Sequence, residues 1–243
     1  GFDSRLKADR SPVTEADLAS DRILREGLNS AFPKDGWLSE ESADHLGTSG
    51  RTWVVDPLDG TRGFISDVEG YAVQVGLVVD DTPVLGVVYE ARHDRLYFAR
   101  RGMGAYLEEG GQRRQLRVSA SPPRAEMTLV TSSSLDKKLR LRLVRELGLG
   151  GSEAFRSVGT KVGVLVRGLH DLYLCHHPIS YWDSCGPMVV LQEAGGMWTH
   201  LNSEPLTYIL SRSIPTHPGP FLVSRGGDHM AMCSAARRIL EEA

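Results

Sequence analysis

The sequence predicts two layered halves in one chain, an α+β half followed by an α/β half. Two observations carry this. Between Tyr71 and Tyr106, short apolar runs alternate with turn residues, the pattern of an antiparallel meander. Beyond Ser119, strand-like and helix-like segments alternate instead. Pro122-Pro123 marks the junction, which puts the halves at residues 1–121 and 122–243. A chain of 243 residues buries a sizeable core either as one domain or as two closely packed halves.

In chain order, residues 11–32 read as a helix entered through Pro12 and Thr14, with Ala16, Ala19, Ile23, Leu24, Leu28 and Ala31 at helical spacing and Pro33 and Gly36 ending it. Residues 53–56 form a short strand running into an acidic turn. The meander has strands at 72–79, 84–89 and 96–99, with turn chemistry at Asp80-Asp81-Thr82 and Arg92-His93-Asp94. In the second half, strands are expected at 127–131, 172–175 and 221–223. Helices are expected at 135–147, 160–167, 183–194 and 228–241, the third ended by Gly195-Gly196.

Composition narrows the function classes. A formal charge of −3 argues against a broad grip on nucleic acid. The basic clusters Arg113, Arg114, Arg117 and Lys137, Lys138, Arg140, Arg142, Arg145 read as solvated faces. Cys175, Cys185 and Cys233 have neither metal-ligand spacing nor a disulfide framework, which suits a reducing cytoplasm. No apolar run approaches the ~20 residues of a membrane span, and no signal peptide is visible.

The chemistry is concentrated in acidic segments. Trp53-Val54-Val55-Asp56-Pro57-Leu58-Asp59-Gly60-Thr61 delivers Asp56 at the end of a strand, stiffens the exit with Pro57 and places Asp59 three residues on. Two carboxylates so close repel unless a cation or proton lies between them. Hard oxygen ligands select Mg²⁺, which shares the phosphate oxygens of a substrate. Gly60 and Thr61 can offer backbone N–H groups to an anion at the start of a helix. The bland reading of this motif is an Asp-Gly turn. Three further segments also have bland readings: Ser39-Glu40-Glu41-Ser42 as a solvated loop, Asp183 in Tyr181-Trp182-Asp183 as a helix cap, and Asp17 in Thr14-Glu15-Ala16-Asp17 as part of a capping box.

Together these segments resemble the inositol monophosphatase superfamily, which also contains bisphosphate nucleotidases and fructose-bisphosphatases. The family pattern of a Glu-Glu pair, then D-P-[IL]-D-G-T, then W-D before a Gly-Gly-ended helix appears as Glu40-Glu41, Asp56 to Thr61, and Trp182-Asp183 with Gly195-Gly196. The resemblance implies a layered αβαβα sandwich with the active site at the junction of the halves. It implies Mg²⁺ chemistry with two to three ions, Mn²⁺ being an alternative. Glu40, Asp56 and the Leu58 carbonyl would hold the first ion; Asp56, Asp59 and Asp183 the second; a third would touch Glu40. Thr61, bonded to Asp17, would orient the attacking water. Lithium inhibition, and a further helix ahead of the Lys7 region in a longer natural chain, are also implied.

For the substrate, Lys7, Asp9, Ser11-Pro12-Val13-Thr14 and Asp17 are similar to the K-x-D-x-S-P-V-T-x-A-D opening of bacterial 3′(2′),5′-bisphosphate nucleotidases, and Arg62 after D-G-T is similar to that branch. Arg156-Ser157-Val158-Gly159-Thr160 resembles the inositol enzymes, and Ser157 would face the substrate in either case. Lys161 would pair with a second phosphate. His176 stands where inositol enzymes carry an acidic residue; His176 and His177 also read as ordinary loop residues. The expected substrate is a small phosphorylated molecule, a nucleotide or polyol phosphate, with 3′-phosphoadenosine 5′-phosphate ahead of inositol monophosphate, histidinol phosphate and sugar phosphates. No nucleic acid polymer or membrane is expected as partner, and the chain is expected as a monomer or homodimer. The rivals are an inactive metal-binding regulatory protein and a two-metal nuclease; the latter lacks a basic, aromatic groove.

Overall fold

The computed structural model describes residues 4–6, 12–68, 70–119, 121–210 and 215–242. The first half runs Ser4–Leu6 (β1), Pro12–Thr14 (β2), Glu15–Ala31 (α1), Gly36–Ser39 (β3), Arg51–Asp59 (β4), Thr61–Ile65 (α2) and Ala72–Val79 (β5). It continues through Thr82–Glu90 (β6), Arg95–Arg100 (β7), Ala105–Glu109 (β8) and Gln112–Leu116 (β9). The second half opens with Thr128–Ser132 (β10), Lys137–Leu147 (α3), Gly151–Phe155 (β11), Val158–Val166 (α4) and Leu172–Cys175 (β12). Ile179–Ser180 (β13), Tyr181–Glu193 (α5), Met197–His200 (β14), Thr216–His217 (β15), Phe221–Ser224 (β16) and His229–Glu241 (α6) complete it.

The seven strands β3 to β9 form one sheet in sequence order, antiparallel except for the parallel β3–β4 pair. β11, β10, β12, β16 and β14 form a second, mixed sheet in that order. Side-chain parity shows how the sheets stack. In β12, Leu172 and Leu174 join the core with Leu143, Leu147, Met232 and Ile239 of α3 and α6, whereas Tyr173 and Cys175 join the core that contains α4 and α5. In β4, Trp53 and Val55 meet Leu24 and Leu28 of α1, whereas Val54 faces the central helices. The layers are therefore α1, sheet, α4 and α5, sheet, α3 and α6: the αβαβα sandwich that the family resemblance implied.

Several element boundaries differ from the sequence reading for physical reasons. Pro12–Thr14 is extended, and α1 starts only at Glu15 because Thr14 is its N-cap. β4 spans nine residues, since both of its faces are covered and the run needs no alternation. β8 and β9 extend the meander past Tyr106; β9 is an edge strand of exposed Gln and Arg with Leu116 buried, so it carries no apolar period. α4 is buried along its whole length, which removes the amphipathic signal. The Asp80-Asp81 turn does hold φ of 48° and 57°, the left-handed pair a tight hairpin requires.

α5 lies unusually close to the first sheet. A Cβ on Gly186 would sit 2.8 Å from the Val75 carbonyl oxygen and 2.9 Å from that of Val87, and one on Gly86 would run into the Gly186 carbonyl. Because the Gly186 carbonyl it would strike is backbone and cannot swing aside, Gly86→Ala is expected to destabilise the fold by about 3 kcal/mol. At this length that lowers the melting midpoint by roughly 6–12 °C. Thermal denaturation checks it; a shift below a couple of degrees would mean that α5 moves away at little cost.

Candidate metal centre

Asp56 has the same parity as Val54, so β4 aims it at the central helix layer, where it is 1% exposed. The β4–β5 register breaks between Asp56 and Asp59. Pro57 has no N–H to give the ladder, and the Leu58 N–H turns back to Asp56 Oδ1 at 3.1 Å. This bulge swings Asp59 inward. Its Oδ2 accepts the Ser157 hydroxyl at 2.6 Å and the Gly159 N–H at 3.0 Å, both from the start of α4. Asp183 comes from the first turn of α5, where Oδ2 accepts the Ser180 N–H at 2.7 Å. Three segments far apart in sequence thus deliver Asp56, Asp59 and Asp183, with one ligand oxygen of each within 4.8 Å of the others.

The electrostatics fit a cation cage. Burial, then the charges of Glu40, Asp59 and Asp183, push the Asp56 carboxyl well above the usual range. Asp183 is pushed up to about 8 by burial, Asp59 and Glu40. Asp59 is raised by burial against the pull of Ser157, Gly159 and Lys161. Glu40 follows β3, with its N–H on the Val55 carbonyl at 3.3 Å, and acts on both Asp56 and Asp183. A cluster of oxygen donors whose charges repel in this way fits Mg²⁺ or Mn²⁺, hard ions that take carboxylates. Asp56, Asp59 and Asp183 would hold such an ion; Glu40 and the Leu58 carbonyl lie alongside.

Thr61 opens α2, behind Gly60 at φ 88°, a conformation only glycine takes freely; a Cβ there would also strike the Gly70 carbonyl. The Thr61 hydroxyl is 3.0 Å from Asp17 Oδ1 and 3.2 Å from the Leu58 carbonyl. Asp17 Oδ2 accepts the Thr14 N–H at 2.8 Å and the Thr14 hydroxyl at 2.6 Å, completing the capping box. The capping and site readings of Asp17 therefore coexist: one oxygen caps α1 and the other meets Thr61. Arg62 is exposed on α2. Lys7, like Asp9 and Ser11, lies outside the described residues.

Two expectations change. Ser157 is fully buried, its hydroxyl committed to Asp59 and to the Thr160 N–H at 3.0 Å, so it braces the cage rather than facing open space. Lys161 is 2% exposed; its ammonium donates to the Arg156 carbonyl at 3.1 Å and lies 5.0 Å from the Tyr173 ring centre. Burial lowers the Lys161 pKa, while Asp59 and Asp183 oppose the shift, so this cation backs the carboxylates from inside the fold. It is not placed to meet a second phosphate. His177 is pushed up to about 9 by its contact with Cys175, 3.8 Å away, so it is a partnered residue. The sequence reading also missed Ser20, whose hydroxyl ties α1 to the Pro57 carbonyl at 2.8 Å; a serine inside a helix carries no signal of such a role.

Comparison with known proteins agrees with this geometry. Residues 2–238 match the inositol monophosphatase family. The chain is 35% identical over 211 residues to the 3′(2′),5′-bisphosphate nucleotidase CysQ of Aggregatibacter actinomycetemcomitans, covering 84% of this chain and 77% of the relative. It is 31% identical over 198 residues to the histidinol-phosphatase of Chlorobaculum parvum, covering 78% and 73%. Among solved structures, the inositol monophosphatase of Anabaena (Nostoc) sp. PCC 7120 superposes with a TM-score of 0.78 at 28% identity, covering 93% of this chain and 87% of that one.

Proposed function

This chain belongs to the inositol monophosphatase family and is a phosphoric monoester hydrolase, and we propose that it removes the 3′-phosphate of 3′-phosphoadenosine 5′-phosphate, giving AMP and phosphate with Mg²⁺ as cofactor. The observation that carries the phosphatase chemistry is the convergence of Asp56, Asp59 and Asp183 within 4.8 Å. The choice of substrate is supported by the 35% identity to a bisphosphate nucleotidase and by exposed Arg62, three residues after Asp59.

A bound divalent cation supplies charge neutralisation and a water of lowered pKa. The protein's part is to position and to carry protons, which is most of what phosphoryl transfer requires. Thr61 directs its hydroxyl hydrogen to Asp17 Oδ1, leaving an oxygen lone pair to orient the attacking water. Asp17, held by Thr14 on its other oxygen, keeps that hydroxyl in one rotamer and draws the proton away. The N–H groups of Gly60 and Thr61 hold phosphate oxygens at the start of α2. Lys161, behind Asp59, offsets part of the negative charge of the cage.

Kinetics with purified protein test the reading. We expect kcat/KM for 3′-phosphoadenosine 5′-phosphate to exceed that for inositol 1-phosphate and histidinol phosphate by at least about 100-fold, because a site built to pair a second phosphate discriminates strongly against its absence. Equal or higher values for either rival would transfer the assignment to it, and no turnover of any phosphate would favour a metal-binding regulatory protein. Arg62→Ala should raise KM for the bisphosphate about tenfold and leave that for p-nitrophenyl phosphate unchanged. A matching loss on both substrates would remove Arg62 from recognition of the second phosphate.

A further inference from the structure

Residues opposite one another on neighbouring strands share a face of the sheet. In the first sheet one such row reads Asp56, Gln74, Val88, Tyr97 across β4, β5, β6 and β7. The start of α4 lies directly on this row. A Cβ on Gly159 would be 2.8 Å from Val88, 3.3 Å from Ala72 and 3.4 Å from the Gln74 carboxamide carbon. Four residues on, a Cβ on Gly163 would be 3.1 Å from the Tyr97 hydroxyl. Glycine at both positions lets the helix settle onto the sheet and closes the row to solvent.

Each member of this row but one has what it needs. Val88 is hydrocarbon, and the Tyr97 hydroxyl donates to Glu90 at 3.0 Å. Asp56 has the Leu58 N–H and the cage. Gln74 is completely buried, and among the described residues neither its Nε2 nor its Oε1 has a hydrogen-bond partner. A buried carboxamide without partners is costly, and an apolar side chain of the same length would avoid the cost. Asp56 stands directly across the strand pair, Gly159, against which the Gln74 side chain packs, gives its N–H to Asp59 at 3.0 Å, and Glu90 and the Tyr97 hydroxyl on the same face are already bonded to each other.

We propose that Gln74 is a positioning residue of the metal centre, its carboxamide held beside Asp56 as the hydrogen-bond partner of the cation-loaded cage. Beyond the Leu58 N–H, the Asp56 carboxylate has acceptor capacity left for a cation and for a further donor; the Gln74 Nε2 hydrogens stand across the strand pair from it. The inference rests on the reading of the carboxylate cluster as a cation site and adds to it a residue that contacts neither substrate nor ion.

Melting of wild-type and Gln74→Met protein, titrated with MgCl₂ in the absence of substrate, tests it. Gln74→Met should melt at the same or a higher temperature without metal, while the Mg²⁺ concentration giving half-maximal stabilisation rises about 10- to 100-fold. An unchanged Mg²⁺ midpoint in the variant, with normal stabilisation of the wild type, would overturn the role of Gln74. Absence of any Mg²⁺ stabilisation in the wild type would instead overturn the metal-site reading beneath it. Should the variant fail to fold, the side-chain amide protons of Gln74 in the ¹⁵N-labelled wild type provide the same decision. One of the two should shift downfield relative to the other as Mg²⁺ is added, as a new hydrogen bond to a carboxylate requires; an unchanged separation at saturating Mg²⁺ would overturn the proposal.

Discussion

Asp56→Asn should lower turnover by on the order of 10³-fold or more while making the metal-free protein melt higher. The two effects have one cause. Asp56 is buried, and Glu40, Asp59 and Asp183 all act against its charge. Removing that charge relieves repulsion in the empty cage and removes the central attraction for cations in the loaded one. Asparagine keeps the oxygen that accepts the Leu58 N–H, so the bulge at Pro57-Leu58 should survive and the loss should be chemical rather than structural. Steady-state kinetics over a wide Mg²⁺ range, with melting in EDTA, separate the cases. A variant retaining more than roughly a tenth of the wild-type rate at saturating Mg²⁺ would contradict a central role for Asp56. One that melts lower in EDTA would show that its carboxylate is a structural asset.

The acidic cluster of Asp56, Asp59 and Asp183 was legible in the sequence, while the groups that support it were not. Asp56, Asp59, Thr61 and Asp183 lie in motifs short enough to read locally, and Asp17 announces itself as the third position of a capping box. That an antiparallel half precedes an alternating α/β half also followed from local pattern, because the meander and the later alternation differ in period, whereas the αβαβα layer order was implied by the family resemblance. What holds the site depends on pairing between distant segments. Ser157 reaches Asp59 across 98 positions, and Ser20 reaches Pro57 across 37. The environment of Lys161 is set by burial of α4 on every side, a property no amphipathic pattern announces. Gln74 becomes notable only once strand register puts it opposite Asp56. Two of the strands that escaped sequence reading did so for a related reason. β9 is an exposed, charged edge, and β3 is buried at every position, so neither alternates.

Mg²⁺ should raise the melting temperature much more at pH 8 than at pH 5.5. An unfolded Asp loses its proton near 3.9, whereas Asp183 in the folded, metal-free chain keeps it up to about 8. Between those values the folded state binds more protons than the unfolded state, so stability falls as pH rises and the loss is complete above the folded value. Asp56 and Asp59, also raised, act in the same direction. A divalent cation competes with these protons for the same oxygens. Its affinity should therefore strengthen with pH, by about 1.4 kcal/mol per pH unit for each proton displaced, and its stabilisation of the fold should follow the logarithm of occupancy. Calorimetric titration in buffers of different ionisation enthalpy would count the protons released. Equal Mg²⁺-induced shifts at the two pH values, with no proton release, would mean that the carboxylates are already ionised in the empty site. Lys161, the ammonium buried behind Asp59, would then be the cation that keeps them so.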